Sequence, residues 1–594
     1  MLEYYQKELG LLKYHAKIFS ERFPKISKRL GMLDGETEDP HVNRLMESFA
    51  FLTSRIHMRL DEDMPEIVDS LLSSIAPQFV RSLPSVCIVM IHPDEQHSGI
   101  TKKNEIAAGT RVYTRQSKPL SCQFQTVYPV SLLPLSVRGA NLFFHSDELN
   151  WRLKLQFQVW SNANISSECI RLYLHGANNV VNTIYTLLCS EIRSIEIWQN
   201  GIRTELSADN IKPVGFAVEE SLLTRDPRIA PVHILMLDYF WFPKKFSFID
   251  IQLPADFKAT GFFEIQAVFE RNPLTETLGK FADLIDNDFF RLHCTPAINI
   301  FKQRAEPIML SDSKKEYPII PDNRNINGIV TWAIQDVFVQ RKVGNQIINL
   351  KVPPLLESNA LSGTQNVSGL FWNTVYRKFV DPEDIEQMHH ISFGKAKGNQ
   401  YPLNKDIVSI NLLCSNNLLP YQIQYGNFES DFDSDITIAA LRIIALTHPT
   451  APVPALDKDC LRWRILSQLS LNFQLLGGEN GVKRLKEMLS LYCFNDNNKE
   501  FIICSLIQSI KCTPTTARLK RDDPNSLARG LDIIVTFTND VLVNPDFYIF
   551  CCLLDRLLAL YAPVNSFTRL MICVENEEKY CRVWPIRAGK LSWL

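Results

Sequence analysis

In the first eighty residues apolar side chains recur every three or four positions; beyond them they recur every second position. Leu2, Tyr5, Leu9, Leu12, Ala16 and Phe19 fall on one side, with Glu3, Lys7, Glu8, Lys13 and Lys17 on the other, which predicts an amphipathic helix. Asp39-Pro40 is a start signal for a second helix whose stripe is Val42, Leu45, Phe49, Leu52, Ile56 and Leu60. Pro65 restarts a third, carried by Ile67, Leu71, Leu72 and Ile75 up to Pro77. These helices have little else between them and need a surface to pack on, in later domains or in another chain.

From about Ser85 the period is two. Val86, Ile88 and Met90 alternate, and Trp151, Leu153, Leu155, Phe157 and Val159 alternate with Arg152, Lys154, Gln156 and Gln158, the pattern of a half-buried strand. Ile170, Leu172 and Leu174 repeat it. A short helix (Ile184, Leu187, Leu188) leads into Ile192, Ile195 and Ile197, and Phe262 to Phe269 is a further strand. Between 300 and 455, strand-like pieces (Ile329 to Ile334, Ile407 to Leu413) alternate with polar stretches at 357–368 and 394–400, and Pro449, Pro452 and Pro454 form an extended linker. Helices around Trp463 to Phe473 and Val482 to Tyr492 follow. Then come strands at Ile502 to Ile510 and Leu531 to Phe537, a helix at Phe547 to Tyr561 and a strand at Phe567 to Val574.

The expected fold is therefore α+β and multidomain: long N-terminal helices, central mostly-β domains and a C-terminal α+β domain. The boundaries fall at 1–84, 85–300, 301–455 and 456–594. A chain of 594 residues is too long for a single core, which agrees with such a division.

Composition narrows the function. Sixty-three Lys and Arg against 65 Asp and Glu leave a net charge of −2, so no global basic field draws nucleic acid or an anionic membrane. With 23 Gly against 32 Pro, the chain is poor in the residue that builds phosphate loops, which points toward a scaffold. The start, Met1-Leu2-Glu3-Tyr4-Tyr5, has no basic-then-apolar leader, and the longest apolar run, Phe547 to Leu554, ends at Asp555-Arg556. A cytoplasmic chain without direct membrane insertion is expected. The 14 cysteines lie in apolar settings such as Val86-Cys87-Ile88 and Phe550-Cys551-Cys552-Leu553 and form no Cys-x-x-Cys, which predicts reduced core thiols.

Candidate chemistry is sparse. Asp431, Asp433 and Asp435 match the opening of an EF-hand loop, but Ile436 stands where Gly is needed and Arg442 where the bidentate Glu is needed; an acidic surface loop is expected. Gly477-Gly478-Glu479-Asn480-Gly481-Val482-Lys483 lacks the Gly-Lys-Ser/Thr ending of a phosphate loop and reads as a helix–helix turn. His389-His390 and the lone His15, His41, His57 and His293 belong to no His-Glu-x-x-His motif, and no Gly-x-Ser-x-Gly elbow occurs. Tyr239 to Phe248 places six aromatics in ten positions. A strand–turn–strand in a β core is the favoured reading, with an interface anchor as the alternative.

Several segments together resemble the TssF (VasA/ImpG) family, baseplate wedge components of the type VI secretion system. Near the start they are Tyr4-Tyr5-x-x-Glu8-Leu9, Phe23-Pro24-Lys25-Ile26, Asp39-Pro40-His41-Val42-x-Arg44-Leu45, Phe49-Ala50-Phe51-Leu52-Thr53-x-Arg55-Ile56 and Leu60-Asp61-x-x-x-Pro65-Glu66. Pro213-Val214-Gly215-Phe216, Tyr239-Phe240-x-Phe242-Pro243-x-Lys245-Phe246 and Cys294-Thr295-Pro296-Ala297 continue the likeness. Leu412-Leu413-Cys414-Ser415-Asn416, Trp463-Arg464-x-Leu466-Ser467 and Trp584-Pro585-x-Arg587-x-Gly589 carry it to the C-terminus; it is least over 340–400.

The resemblance implies a cytoplasmic structural protein and no enzyme, with no catalytic residues, cofactor or metal. It implies two TssF copies around one TssG, with TssK, TssE, a central VgrG hub and the sheath as further neighbours, docked at the inner-membrane complex through partners. The candidate interface is Leu45, Phe49, Leu52 and Ile56, or the neighbouring stripe Leu2, Leu9 and Leu12, packing on TssG or on the second TssF copy. Intramolecular packing of the same stripes is the competing expectation, because a helical stripe alone does not say whose core it joins. A rival of another class is a β-rich hydrolase or glycan-binding protein, with a pocket built from distant carboxylates or from the Tyr239–Phe248 cluster.

Overall fold

The computed structural model describes residues 40–61 and most of 76–588, apart from 96–98, 116–119, 224–228, 356–369, 381–384, 396–405, 437–440, 455–480, 494–499, 519–526 and scattered single or paired positions; before residue 40 and between 62 and 75 it describes isolated positions only. The chain divides into two compact units, Met1–Val80 with Leu456–Leu469, and Arg81–Ala455 with Ser470–Leu594.

The first unit contains a short hairpin, Met32–Leu33 with Glu36–Thr37, then the 22-residue helix Pro40–Asp61 and a 3-10 turn at Pro77–Phe79. The broad α+β expectation holds, but the set of long N-terminal helices does not. Among the described residues Pro40–Asp61 is the one long helix there, and the hairpin interrupts the chain ahead of it. Much of the expected first helix, the third from Pro65 and the helix around Trp463 to Phe473 lie outside the described residues.

The second unit is built on mainly antiparallel sheets. A closed six-stranded barrel runs in the order Cys294–Ile298, Val86–Pro93, Leu441–Ala445, Phe432–Ser434, Arg111–Thr114, Gln123–Thr126 and back to the first. Its core includes Cys87, Val89, Ile91, Phe124 and Phe432, with the Phe124 and Phe432 rings edge to face at 5.4 Å. The barrel thus takes strands from three distant stretches, closing with backbone and side-chain bonds such as Ile88 N to Thr447 Oγ1.

The alternating segment at 151 forms the strand Asn150–Val159, in a five-stranded sheet ordered Ile202–Leu206, Ile192–Gln199, Phe262–Phe269, Asn150–Val159, Leu135–His145. Phe157 and Phe263 are register partners and their rings stack at 5.2 Å. Asn200 and Gly201 link two of the strands with φ of 50° and 80°, the left-handed pair that a two-residue hairpin turn requires. A four-stranded sheet centred on Phe248–Gln252 and Cys169–Leu174 lies in the same unit, and the Asn178–Ser190 helix stands where Ile184, Leu187 and Leu188 placed one.

The 301–455 stretch adds a sheet of Phe301–Arg304, Ile407–Ser415, Val330–Val343 and Gln346–Val352, and a three-stranded sheet of Glu316–Pro318, Ile385–Lys395 and Leu370–Val380. At the C-terminus, helix Gly481–Ser490 precedes the strands Ile507–Arg518 and Leu527–Phe537. The helix Phe547–Leu560 then crosses to Ser566–Val574, which runs parallel to Leu527–Phe537. The strand expected from Ile502 instead begins at Ile507; Glu500–Ser505 is a helical turn with Ile503 and Cys504 buried. A continuous apolar run carries no period that separates the two states.

The aromatic run at 239–248 is also corrected. Pro231–Trp241 is a helix, Pro243–Phe246 a 3-10 turn, and only Phe248–Gln252 a strand. Pro231 stands in the first turn, where its missing N–H costs nothing, and apart from His233 and Asp238 the helix is apolar, because nearly all of it is buried. The core reading is right: Tyr239, Phe240, Phe242, Phe246 and Phe248 are buried. The helix packs on Phe547–Leu560, with Tyr239 and Phe550 rings 6.3 Å apart.

Candidate functional site

The candidate surface is the outward side of the Pro40–Asp61 helix. At about 100° per residue, Leu45, Phe49 and Leu52 fall within roughly 60° of one another. They are 72%, 58% and 58% exposed, while Ala50 and Ser54, on the opposite side, are fully buried. The helix is inside out: small residues face inward and large apolar ones face solvent. Its hydroxyls make no demand on the surroundings, since Ser48 donates to the Arg44 carbonyl at 2.8 Å, Thr53 to Phe49 at 2.9 Å and Ser54 to Phe51 at 2.7 Å. Exposed large apolar side chains grouped on one helix face make this the candidate interaction surface.

Of the other expected residues, Leu9 and Leu12 are half-buried. Leu2 and the side chain of Ile56 lie outside the described residues. The stripe argument missed Phe51 (45% exposed), Ile18 and Phe23; Phe19, on the expected first stripe, is also exposed, its ring 5.4 Å from that of Phe23. Their surplus over the helical stripe was the available signal.

The remaining candidates resolve into structure. Asp431 is buried, not on a surface loop: it accepts the backbone N–H of Gly426 (2.9 Å), Asn427 (3.0 Å) and Ala445 (2.9 Å). Asp433 pairs with Arg115 at 2.7 Å, so the acidic run has partners already. No group of three His, Cys, Asp or Glu able to hold a metal occurs among the described residues. His293 is a core histidine whose Nε2 accepts the Leu133 N–H at 3.1 Å, and burial lowers its pKa to about 4. Burial pushes the Cys122, Cys169 and Cys414 thiols up to about 12, so they are inert packing groups. No disulfide joins the described cysteines. The phosphate-loop-like segment lies outside the described residues up to Asn480, and Gly481 opens a helix.

The aromatic cluster surrounds a buried ion pair. Lys245 donates to Asp238, both fully buried, and Asp238 also accepts the Leu222 N–H at 3.2 Å. Burial pushes the Asp238 carboxyl up and the Lys245 ammonium down, and their mutual attraction opposes both shifts. Tyr128 donates to the Lys245 carbonyl at 3.0 Å, Gly215 at φ 98° passes beneath it, and Phe216 lies 4.3 Å from the Arg556 guanidinium. The segments around Pro213 and Tyr239 thus meet at one packing point with the Phe547–Leu560 helix. Most of the cluster is enclosed, with Trp241 half-buried at its margin. A depression of about 330 Å³ is lined by Arg111, Tyr113, Ser121, Gln123 and Asp435. No helix among the described residues is long and apolar enough to cross a membrane.

A many-sheeted chain that turns one helix's large apolar side chains outward has the makings of an assembly subunit. A sequence profile of the type VI secretion system TssF family matches residues 1–591. The chain belongs to the TssF family, and TssF is a baseplate component. It is similar to the type VI secretion system component TssF1 of Pseudomonas aeruginosa, 26% identical over 628 residues that span 99% of this chain and 98% of that protein. Among solved structures it resembles a chain of the TssK-TssF-TssG baseplate subcomplex (23% identity, TM-score 0.73, 92% of this chain and 99% of that one). It also resembles a chain of the type VI baseplate complex (21% identity, TM-score 0.59, 98% of each).

Proposed function

We propose that the chain is a structural wedge subunit and no enzyme, and that it joins the baseplate by laying the Leu45, Phe49 and Leu52 face of its Pro40–Asp61 helix against TssG. The observation that carries this reading is the inverted burial of that helix, with Ala50 and Ser54 inside and three large apolar side chains outside. The similar solved chain comes from a complex that contains TssG and TssK, which supports TssG as occupant. Ile56 continues this stripe by sequence spacing, and Leu2, Leu9 and Leu12 are the alternative stripe for the same contact. TssK, a second TssF copy, TssE, the VgrG hub and the sheath complete the neighbours of a cytoplasmic wedge held at the inner membrane through its partners. Within the chain, the segments 1–84, 85–300, 301–455 and 456–594 are the division that suits these roles.

Co-expression with TssG, followed by size-exclusion chromatography with mass measurement, tests the reading. A stoichiometric complex is expected, and it should be lost when Phe49 and Leu52 are replaced by Asp. A chain that stays alone beside folded TssG refutes it. Self-association of the isolated chain through this face would assign the surface to a second copy instead.

A further inference from the structure

The C-terminal sheet ends in a short two-stranded overhang, two residue pairs long (Ala517 opposite Ala528, Arg518 opposite Leu527), which is called the arm below. Ile507–Arg518 and Leu527–Phe537 stay paired out to Arg518 opposite Leu527, whereas the third strand begins at Ser566 opposite Arg529. Gly530 fixes the root of the arm, because any Cβ there would meet the Phe567 ring at 2.5 Å. Cross-strand partners and i, i+2 neighbours share a face, so Arg518, Leu527, Arg529 and Thr516 lie together on one side. Leu527 is 61% exposed and both arginines are exposed.

The charge of the arm is one-sided. Asp532, at its root, is held in a two-pronged pair by Arg569 at 2.9 and 2.6 Å. Arg518, Arg529 and Lys511 have no carboxylate within ion-pair reach among the described residues. Pro514 interrupts the outer strand and removes an N–H from its edge, which disfavours recognition by strand addition. Side chains must do the recognising. Guanidinium groups flanking an exposed leucine suit a protein surface of carboxylates around an apolar spot. Nucleic acid is poorly served, since no aromatic stands beside the arginines for stacking.

We propose that this arm docks on an acidic surface of a protein partner, Arg518 and Arg529 each taking a carboxylate and Leu527 seating between them. The test uses the full-length chain and a fluorescein-labelled peptide of repeated Glu-Glu-Leu, followed by fluorescence anisotropy at low and high salt. The wild type binds the peptide and releases it as salt rises. The double variant Arg518→Glu, Arg529→Glu binds at least about tenfold more weakly. Arg518→Gln with Arg529→Gln, which keeps the size of the side chains, and Leu527→Asp both weaken binding with an unchanged melting curve. Failure of the wild type to bind, or equal affinity of the charge-reversed chain, overturns the proposal. So does tighter binding of a short DNA duplex or of phosphatidylserine vesicles than of the peptide.

Discussion

Truncating Leu45, Phe49 and Leu52 together to alanine separates a surface made for a partner from one that belongs to the chain's own core. Complete burial of a Leu or Phe side chain contributes about 1.5–3 kcal/mol. The three are 72%, 58% and 58% exposed in the isolated chain, so covering what remains yields about 1–2 kcal/mol each and roughly 3–5 kcal/mol in all. That corresponds to a loss of roughly 10²–10⁴ in affinity for TssG. The stability of the isolated chain changes little, within about 0.5 kcal/mol, as for other exposed positions. The opposite face supplies the control. Ala50→Leu inserts volume where Ala50 is fully buried and lowers stability by roughly 1–3 kcal/mol while leaving the outward face intact. Surface immobilisation of TssG with interferometry reads the affinity, and urea unfolding reads the stability. If the triple variant binds TssG as the wild type does, or unfolds several kcal/mol sooner, the reasoning fails.

Four further outcomes follow from particular contacts. Removing one partner of the fully buried pair, as in Lys245→Met, leaves the Asp238 charge uncompensated and costs roughly 3–5 kcal/mol; Lys245→Met with Asp238→Leu recovers much of it, read by denaturant midpoints. Gly530→Val drives side-chain atoms into the Phe567 ring and lowers thermal stability by about 1–3 kcal/mol. Asp431→Ala leaves the buried Ala445 N–H and the outer Gly426 and Asn427 N–H groups without their acceptor and costs roughly 1–3 kcal/mol, while calcium leaves the wild-type melting temperature unchanged. Burial lowers His233, His293 and His389 to about 4. Each is neutral in the folded chain and takes a proton more readily unfolded, so its contribution is complete above about pH 6.5 and is lost as pH falls toward 4. The loss reaches at most about 3 kcal/mol per histidine, visible as a falling urea midpoint across that window.

What the sequence made legible depended on whether burial was one-sided. The strand Asn150–Val159 alternates inside and outside, so its apolar period of two was plain. The helix Pro231–Trp241 is nearly all buried and carries no period, which is why its aromatics read as strand; Pro231 was the one local sign of a helix start. Asp431 looked like a surface acid because Asp and apolar residues alternate there, yet Phe432 and Asp431 are both buried where the barrel closes. Register between strands hundreds of residues apart leaves no local trace at all. For the candidate surface, the spacing of Leu45, Phe49 and Leu52 located the stripe but not its direction. Ala50 and Ser54 opposite it were the clue, since small residues let a helix backbone approach its own core closely.

The barrel also sets a timetable. Its strand at Val86–Pro93 finds its neighbour only at Leu441–Ala445, and Ile88 bonds a threonine 359 residues downstream. At synthesis rates of about 5–20 residues per second, the emerging chain carries that strand for roughly 20–70 s before its partner leaves the ribosome. During that interval one edge of the strand has no neighbour, which is an opening for a holdase chaperone. Ribosome-associated chaperone occupancy should therefore persist until about residue 445 has cleared the exit tunnel, and a circular permutation that brings 432–445 beside 86–126 should shorten it.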